Sequence, residues 1–487
     1  MTWKTKINHP LVLRIEGILL LVEGVFMLTV LPVTYAYHGL YAFSMPLSAL
    51  ITLLTGTILL IVTREHKRDK TTSHDGVFIV CISWLVLSLF GAMPYLLSKS
   101  VPNFTDGFFE ALSGFTTTGA TILTRIEAVP KDILFWRSMT QWLGGLAIIV
   151  FTIAILPYLS MSGMQLFVSE MNGINYDKLH PRTLYIVKRI WGIYLFFTLL
   201  ETLLLYWGDM DFYDALCHSM TTISSGGFST RTANMSAFST YSQVVVSVFM
   251  LLSGCNFSLL LLSLSWRSFA IFKNEEFKNF LFYVIILGLG IGLALLLMCH
   301  YTAGKAFQHS FFSVISAITT TGFFCNDYML WPTFLWLFLF LLMFVGACSG
   351  STSGGIKMFR HLIFVKNSLL ELKRIIHPNA IMPVKINGKS ISGSGVYKNL
   401  TFIFIYILVF ILGAFVLLFL GVDFETALGA SVASLSNVGM GIGGVGPWGS
   451  YVFFPIAAKW LLMLLMLLGR VELFSLLTLL SRGFWRN

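Results

Sequence analysis

The amino-acid sequence predicts an all-α polytopic membrane protein. It has four tandem helix–pore-helix–helix repeats in pseudo-fourfold arrangement around one pore, plus an amino-terminal helix pair. Two observations predict this fold class. The 487 residues are 56% hydrophobic and only 11% charged, whereas soluble domains carry about 25% charged residues. In addition, one short segment that ends in glycine occurs four times between long apolar stretches.

Apolar stretches long enough to cross a bilayer recur through the whole chain. A spanning helix needs about 20 mostly apolar residues. The first stretch follows Lys4 and Lys6 but is too long for the core of a signal peptide, so we expect it to remain as a helix. The six cysteines are scattered without a C-x-x-C pair, which predicts neither a disulfide framework nor a metal site. We predict ten spans, at residues 11–35, 42–63, 77–98, 133–158, 184–207, 241–265, 278–300, 331–348, 399–421 and 452–481.

Charge in the connections predicts the orientation. The connections on one side of the membrane are acidic, with Asp209, Asp211 and Asp214 in one and Asp423 and Glu425 in another. We expect an acidic outer vestibule that concentrates cations, with ordinary loop charges as the alternative. The basic connections all fall on one side if both termini are cytoplasmic. They contain Arg64, Lys67, Arg68 and Lys70; Lys178, Arg182, Lys188 and Arg189; Arg267, Lys273 and Lys278; and Lys357, Arg360, Lys366, Lys373, Arg374, Lys385, Lys389 and Lys398.

The fourfold repeat is the strongest signal in the sequence. Residues 104–119, 212–227, 307–322 and 424–439 align without a gap. Every copy begins with Phe, ends with Gly and has a hydroxyl residue three positions before that glycine. The shared phenylalanine places Gly227, and not Gly226, in the glycine column.

A short half-helix followed by a hydroxyl-rich stretch and glycine has a physical use at a pore. Glycine permits positive φ, which lets carbonyl groups turn toward an axis, and rings of carbonyls replace the hydration shell of a cation. The alternative is that these residues only allow close helix packing, but four aligned copies favour a selectivity filter. The predicted filter comprises Thr116, Thr117, Thr118 and Gly119; Ser224, Ser225, Gly226 and Gly227; Thr319, Thr320, Thr321 and Gly322; and Ser436, Asn437, Val438 and Gly439.

These repeats resemble, over nearly the whole chain, the superfamily of potassium transporters that includes TrkH, KtrB and the plant HKT proteins. The amino-terminal helix pair and the stretch FWRSMTQWLGG at residues 135–145 are similar to the TrkH branch. The fourth copy, SNVGMGIGG, departs from the TTTG form. On this resemblance the units are a helix pair at 1–72 and pore repeats at 73–170, 171–270, 271–390 and 391–487.

The resemblance implies potassium uptake across a bacterial inner membrane, with both termini cytoplasmic. It implies a homodimer with one pore per subunit, gated by a cytosolic TrkA-like ring that binds NAD(H) or ATP/ADP. The chain itself is expected to need no cofactor beyond the K+ ion bound at the filter. Coupling to H+ or Na+ stays open.

Two elements are candidate gates. A run of small residues with Gly346, Gly350, Gly354 and Gly355 interrupts the helix after the third filter, and irregular backbone at membrane depth must be buried or line a cavity. It resembles the intramembrane loop of the family, with a small-residue packing interface as the alternative. Arg470 lies in the last apolar stretch, where a charge indicates a functional site.

In the family, an arginine at this place projects into the pore below the filter. The alternatives for Arg470 are that it snorkels or pairs with Glu472. Lys459 and Glu201 are weaker candidates.

Two other functions are alternatives. A sodium-permeable transporter of the same fold is the nearer alternative, although serine at the first filter is common among sodium-transporting plant relatives and Gly119 favours potassium. A membrane-embedded enzyme is the other, suggested by the D-x-D pair Asp209 and Asp211. The sequence lacks H-E-x-x-H and a nucleotide-binding domain, so we predict that the chain is not an enzyme.

Overall fold

The computed structural model describes residues 7–37, 43–64, 73–154, 179–264, 270–380, 382–471, 473–481 and 484–485. The regular secondary structure of these ranges is α-helical, apart from short 3-10 helices and one hairpin of β1 (Lys385–Ile386) with β2 (Lys389–Ser390). They are α1 (His9–Thr29), α2 (Leu31–Tyr37), α3 (Ser44–Val62), α4 (Ser73–Gly91), α5 (Met93–Leu97), α6 (Phe104–Phe115), α7 (Lys131–Ala154), α8 (Leu179–Tyr206), α9 (Phe212–Ile223), α10 (Thr240–Ser253), α11 (Phe257–Leu264), α12 (Ala270–Lys273), α13 (Glu275–Met298), α14 (Ala303–Ile318), α15 (Thr333–Leu342), α16 (Met358–Ile376), α17 (Gly393–Phe419), α18 (Phe424–Leu435), α19 (Ile456–Arg470) and α20 (Leu473–Leu480).

Six helices in the described ranges are long and apolar enough to cross a membrane. A seventh span results if α10 and α11, which meet at an angle of 99°, count as one. The six long helical spans lie at His9–Tyr37, Ser44–Val62, His74–Leu97, Val187–Tyr206, Glu275–Met298 and Gly393–Phe419.

The prediction of ten continuous spans is wrong at three places. The stretch 241–265 is the bent pair, 331–348 contains only the ten-residue helix α15, and 452–481 is divided between α19 and α20. Each break follows the second long helix of a repeat, so apolar composition continues where the helix does not. The end of the predicted span 133–158 lies outside the described residues, as do Lys67, Arg68, Lys70, Lys178, Arg267 and Glu472.

The four half-helices α6, α9, α14 and α18, here called pore helices 1 to 4, begin at polar caps. The side chains of Asn103, Asp211 and Asp423 accept hydrogen bonds from backbone amides three residues later, at 2.9, 2.6 and 3.0 Å. These residue types satisfy amides that a helix start leaves unpaired. Pore helix 3 begins after Thr302, whose side chain makes no such bond.

The pore helices connect the repeats into a ring. Pore helix 1 packs between α4 and α7, and pore helix 2 packs between α8 and α10. Three pore helices also contact the second long helix of the preceding repeat: α9 contacts α7, α14 contacts α10, and α6 contacts α19. The contact of α6 with α19 joins the first repeat to the last.

The amino-terminal helix pair, α1 and α3, is held by a close crossing of two glycines. A β-carbon at Gly17 would lie 3.0 Å from the carbonyl oxygen of Gly56, and one at Gly56 would lie 2.9 Å from that of Gly17. Close backbone approach of this kind stabilises helix pairs in membranes, where there is no hydrophobic driving force between helices.

Replacing Gly17 by Leu should therefore destabilise the protein. Overpacking typically costs about 1–3 kcal/mol, and we expect a lower midpoint of thermal unfolding for the detergent-purified protein. Gly290→Leu is the matched control, because a β-carbon there meets no atom within 4 Å. Equal unfolding midpoints for the two variants would contradict the close crossing.

Candidate ion pathway

Each pore helix ends in the same backbone motif. The helix is capped by the hydroxyl residue of the repeat, and the next residue adopts positive φ of 51–55°. The amide of the third filter residue then donates to the carbonyl five residues earlier, as Thr118 does to Ser113 at 2.9 Å. This bond pattern is the Schellman motif. The positive-φ residues are Thr117, Ser225, Thr320 and Asn437.

Glycine usually occupies the left-handed position of this motif, because other residues cost about 1–2 kcal/mol there. Here the motif is built with Thr, Ser and Asn, so tertiary contacts must hold the backbone in place. In this motif the backbone amides at the start of each filter segment donate hydrogen bonds back to the pore helix.

The four filter glycines form a closed ring of backbone contacts. Gly119, Gly227, Gly322 and Gly439 have φ of 82°, 77°, 79° and 76°, whereas Gly226 does not share this positive φ. A β-carbon at each of the four would overlap the carbonyl oxygen that precedes the glycine of the next repeat. The pairs are Gly119 with Gly226, Gly227 with Thr321, Gly322 with Val438, and Gly439 with Thr118.

Because the fourth pair returns to the first repeat, the four backbones surround one axis. The same four glycines line one cavity of about 150 Å³. The structure thus brings the four predicted segments together at a single place.

Comparisons with known proteins agree with this geometry. A family model described as "TrkH: Cation transport protein" matches residues 46–484. The chain is 38% identical to the Trk system potassium uptake protein TrkH of Escherichia coli K12, over 90% of this chain and 91% of that protein. It is 37% identical to the protein of that name from Vibrio parahaemolyticus, over 98% and 99%.

The chain belongs to the TrkH family. A crystal structure described as the potassium transporter TrkH from Vibrio parahaemolyticus matches with a TM-score of 0.91 and 34% identity, over 99% of this chain and all of that one. The predicted family and fold class are therefore confirmed, and the chain is a multi-pass membrane protein.

The vestibule of this TrkH-family chain is not acidic, which corrects the expectation from the sequence. The cavity at the glycines is lined by Arg137 and Arg231 and by no aspartate or glutamate among the described residues. Asp214 instead accepts two hydrogen bonds from Arg231, at 2.7 and 3.1 Å. Asp211 and Asp423 cap pore helices.

Asp209 is likewise occupied by structure. Burial raises the pKa of its carboxyl, but hydrogen bonds from Ser239 and Ser242 outweigh burial and bring the pKa below its ordinary value. The carboxylate accepts the Ser239 amide at 2.7 Å and the Ser242 hydroxyl at 2.5 Å. This arrangement ties the connection between α8 and α9 to the start of α10 and forms no D-x-D site with Asp211.

Side chains outside the four sixteen-residue segments hold the predicted filter in place. The Gln141 amide nitrogen donates to the Gly226 carbonyl at 2.7 Å, and its oxygen accepts the Phe228 amide at 3.1 Å. The Tyr451 hydroxyl donates to the Gly439 carbonyl at 2.9 Å. Sequence reasoning did not assign these roles, although Gln141 lies within the stretch 135–145 that resembled the TrkH branch.

A buried ion pair ties the same stretch to pore helix 1. Arg137 Nε lies 2.7 Å from the Glu110 carboxylate, and the two side chains are 2% and 0% exposed. Glu110 also accepts the Thr121 hydroxyl and the Ile122 amide, which follow the first filter. Arg137 donates to the Ser229 carbonyl beyond the second filter at 3.0 Å. The pair therefore joins the segments that follow filters 1 and 2.

The segment between α15 and α16, residues 343–357, is the predicted interruption and is called the intramembrane loop. It is non-helical and mostly buried, with Thr352 at 0% exposure. Its backbone joins the break between α10 and α11, where the Cys348 amide donates to Gly254 and the Phe257 amide donates to Gly350. The bend of 99° in the second repeat thus makes room for the loop of the third.

The predicted gating glycines hold this loop in several ways. Gly346 donates to the Ile356 carbonyl at 2.8 Å and closes the loop at its base. Gly350 and Gly355 have positive φ. Gly354 donates its amide to the Thr320 hydroxyl of filter 3 at 2.6 Å.

The Glu276 carboxylate anchors both arms of the loop region. It accepts the Ser349 amide at 2.6 Å and the Phe359 amide at 3.0 Å. Lys357 donates to the carbonyl and the hydroxyl of Ser353. The loop is therefore fixed from α13 and from its own end.

Arg470 contacts the loop from the end of α19. It is 3% exposed and donates to the Thr352 carbonyl at 2.8 Å. The Thr352 hydroxyl lies 2.8 Å from that of Ser225 in filter 2. Arg470, loop and filter thus form one chain of hydrogen bonds, while the alternative partner Glu472 lies outside the described residues.

The two weaker candidates differ in their surroundings. Lys459 forms a buried ion pair with Asp106 of pore helix 1 at 2.7 Å, which is a structural role. Glu201 is 0% exposed, and its oxygens have no hydrogen-bond partner among the described residues.

Removing Arg137 should be strongly destabilising. Arg137→Ala leaves the Glu110 charge buried and unpaired, a change that costs about 3–5 kcal/mol. The measurement is unfolding of the detergent-purified protein. Arg374→Ala is the control, because Arg374 pairs with Glu371, which is 56% exposed, and such surface pairs contribute about 0–1 kcal/mol. Similar losses in the two variants would show that the buried pair has no special weight.

Proposed function

We propose that this chain conducts potassium ions across the membrane through the pathway between the four filter segments. The observation that supports this function is the closed ring of four glycines, at each of which a carbonyl oxygen of the next repeat occupies the place of a β-carbon. Four converging backbones with carbonyls at a common axis can replace the hydration shell of a cation without a charged side chain. The relatives are named as potassium uptake proteins.

The selectivity filter consists of the sixteen predicted residues, with K+ held by backbone oxygens. The braces from Gln141 and Tyr451 act on two of these carbonyls and hold them at fixed positions. A sodium-permeable pathway of the same fold is the competing function. The flux ratio of the two ions decides between them.

Replacing a filter glycine by serine should reduce discrimination of K+ over Na+. At Gly119 or Gly322 the new β-carbon meets a carbonyl oxygen of the next repeat and displaces it. We expect at least a tenfold loss in the ratio of Rb+ to Na+ flux in proteoliposomes, which corresponds to about 1.4 kcal/mol.

Gly304→Ser is the matched control for these variants, because a β-carbon there meets no atom within 4 Å. Size-exclusion profiles establish that each variant is folded. Unchanged flux ratios in folded Gly119→Ser and Gly322→Ser would refute the filter assignment, and a preference for Na+ in the unmodified protein would favour the competing function.

The gate consists of the intramembrane loop and Arg470. The buried guanidinium places a positive charge beside the loop, where it repels cations. It donates to Thr352, and Thr352 in turn contacts Ser225 of filter 2. The loop must move for ions to pass, because its Thr352 and Gly354 contact filters 2 and 3.

Arg470→Ala should raise the basal leak of Rb+ when the pathway is closed. The change removes both the positive charge and the hydrogen bond to Thr352. Arg470→Lys keeps the charge and should leak less than the alanine variant. A basal flux in Arg470→Ala equal to that of the unmodified protein would exclude Arg470 from the gate.

The side of the membrane that carries α16 and the hairpin is proposed to be cytoplasmic, in a bacterial inner membrane. Basic residues of α16 and the hairpin concentrate there, in line with the positive-inside rule. The described ends of the chain pack together, since Ile7 and Trp485 share one apolar cluster. This packing supports the proposal that both termini are cytoplasmic.

A cytosolic TrkA-like ring that binds NAD(H) or ATP/ADP, acting on a homodimer, is the proposed regulator. The relatives are named as parts of a Trk system. On the basic side, Glu275 pairs with Lys366 and accepts the Asn387 amide of the hairpin, while the next residue, Glu276, holds the loop. A partner that moves the hairpin would therefore act on the loop through α13.

A further inference from the structure

The seam between α1 and α4 contains acidic side chains that the ion pathway does not use. Contacts between the two helices advance along both chains in the same direction. The Asn8 amide donates to the Asp75 carboxylate at 2.8 Å, and about two turns further along the Ser83 hydroxyl donates to Glu16 at 2.7 Å. About two turns beyond that pair, Glu23 lies beside Gly91.

Glu23 is the exceptional member of this seam. Its side chain is 2% exposed, and neither carboxyl oxygen has a hydrogen-bond partner among the described residues. Glu16 is 3% exposed and uses only one of its oxygens. A charged carboxylate within the membrane requires a partner or a cavity, since its burial costs several kcal/mol.

The ionisable groups around Glu23 provide no such partner. Helix α3 has no ionisable residue, and α4 contributes Asp75 and His74 at its start and Cys81. Pore helix 1 contributes Glu110 and Asp106, which already pair with Arg137 and Lys459. Tyr95 of α5 is an uncharged phenol at neutral pH.

A metal ion does not fit this seam. Glu16 and Glu23 are seven residues apart on α1, which separates them by about 10 Å. Cations of the Ca²⁺ type need six to eight oxygen ligands, and the described residues contain no group of three acidic, His or Cys side chains that could hold a metal. A proton is the ligand that satisfies a single isolated carboxyl.

Glu23 and the end of pore helix 1 approach the same backbone position, Gly91. A β-carbon on Gly91 would lie 3.2 Å from a Glu23 oxygen and 2.5 Å from the ring of Phe115. Phe115 is the last residue of pore helix 1, directly before Thr116. The Gly91 carbonyl accepts the Trp136 indole at 3.0 Å. A change of charge and hydration at Glu23 therefore acts on the end of pore helix 1.

We propose that Glu23 binds an exchangeable proton, so that cation flux through filter 1 depends on pH. Release leaves a carboxylate on Glu23 and gives the proton to a water molecule that enters the α1–α4 seam. The proposal rests on the proposed cation flux. It adds a ligand, the proton, and a site for it outside the filter.

The test uses full-length protein in proteoliposomes with Rb+ flux measured at fixed voltage over a pH series. Glu23→Gln keeps the shape of a protonated glutamate but cannot release the proton, so flux should persist and its pH-dependent component should be lost. Glu371→Gln, an exposed position outside the seam, is the control and should retain the pH dependence.

Infrared difference spectra between high and low pH provide a second readout. The carboxyl band of a titrating buried glutamate should be present in the unmodified protein and absent in Glu23→Gln. If that variant does not fold, Glu23→Asp should fold and shift the midpoint of the pH dependence. An unchanged flux–pH curve and an unchanged spectrum would show a fixed structural proton and overturn the proposal. Absence of Rb+ flux in the unmodified protein would instead overturn the proposed function.

Discussion

The close approach of four backbone segments around one axis is the constraint on which the rest of the structure depends. At each filter glycine the carbonyl oxygen of the next repeat occupies the place of a β-carbon. Only a residue without a side chain permits that approach together with a positive φ. The same four positions cannot be separated further without breaking the ring, so the pore helices, caps and flanking helices must hold them at one distance. The fourfold repeat in the sequence reflects this requirement, because each copy supplies one glycine of the ring.

Holding the ring has an energetic cost that the surrounding side chains offset. Thr117, Ser225 and Thr320 occupy left-handed conformations that disfavour β-carbons. The Schellman bonds to the pore helices, the braces from Gln141 and Tyr451, and the buried pair of Arg137 and Glu110 stabilise them together. Backbone strain of this kind persists only where the surroundings over-determine it. Most of these braces come from outside the repeated segments, which allows four similar but unequal sequences to build one ring.

The sequence predicted the repeats, the helix pair, the family and the glycine column, because each follows from local pattern or periodicity. It predicted the interruption after α15 from its run of glycines but not the break at 254–256, since that break depends on how the intramembrane loop docks and the apolar composition continues through it. Of the carboxylates expected in the vestibule, Asp211 and Asp423 cap pore helices and Asp214 pairs with Arg231, a distinction that composition does not carry. Gln141 and Tyr451 act through tertiary contacts 85 and 12 residues from the carbonyls that they bind, and no spacing rule marks them.

The loop and the predicted filter form one hydrogen-bonded unit, so on the proposed function opening and selectivity are energetically coupled. Moving the loop away from the axis breaks the bond of Thr352 to Ser225, that of Gly354 to Thr320, and that of Arg470 to Thr352. At a net value of about 0.5–1.5 kcal/mol each, these bonds amount to a few kcal/mol. A ligand or partner that prefers the open state by about 5.5 kcal/mol reverses a 99:1 equilibrium, so a regulator acting through Glu276 can overcome them. Because Ser225 and Thr320 are left-handed residues of the filter, loss of their loop partners also loosens the strained backbone. In the proposed open state the filter therefore loses its loop bonds at Ser225 and Thr320, while the bonds of Gln141 to Gly226 and of Tyr451 to Gly439 do not involve the loop.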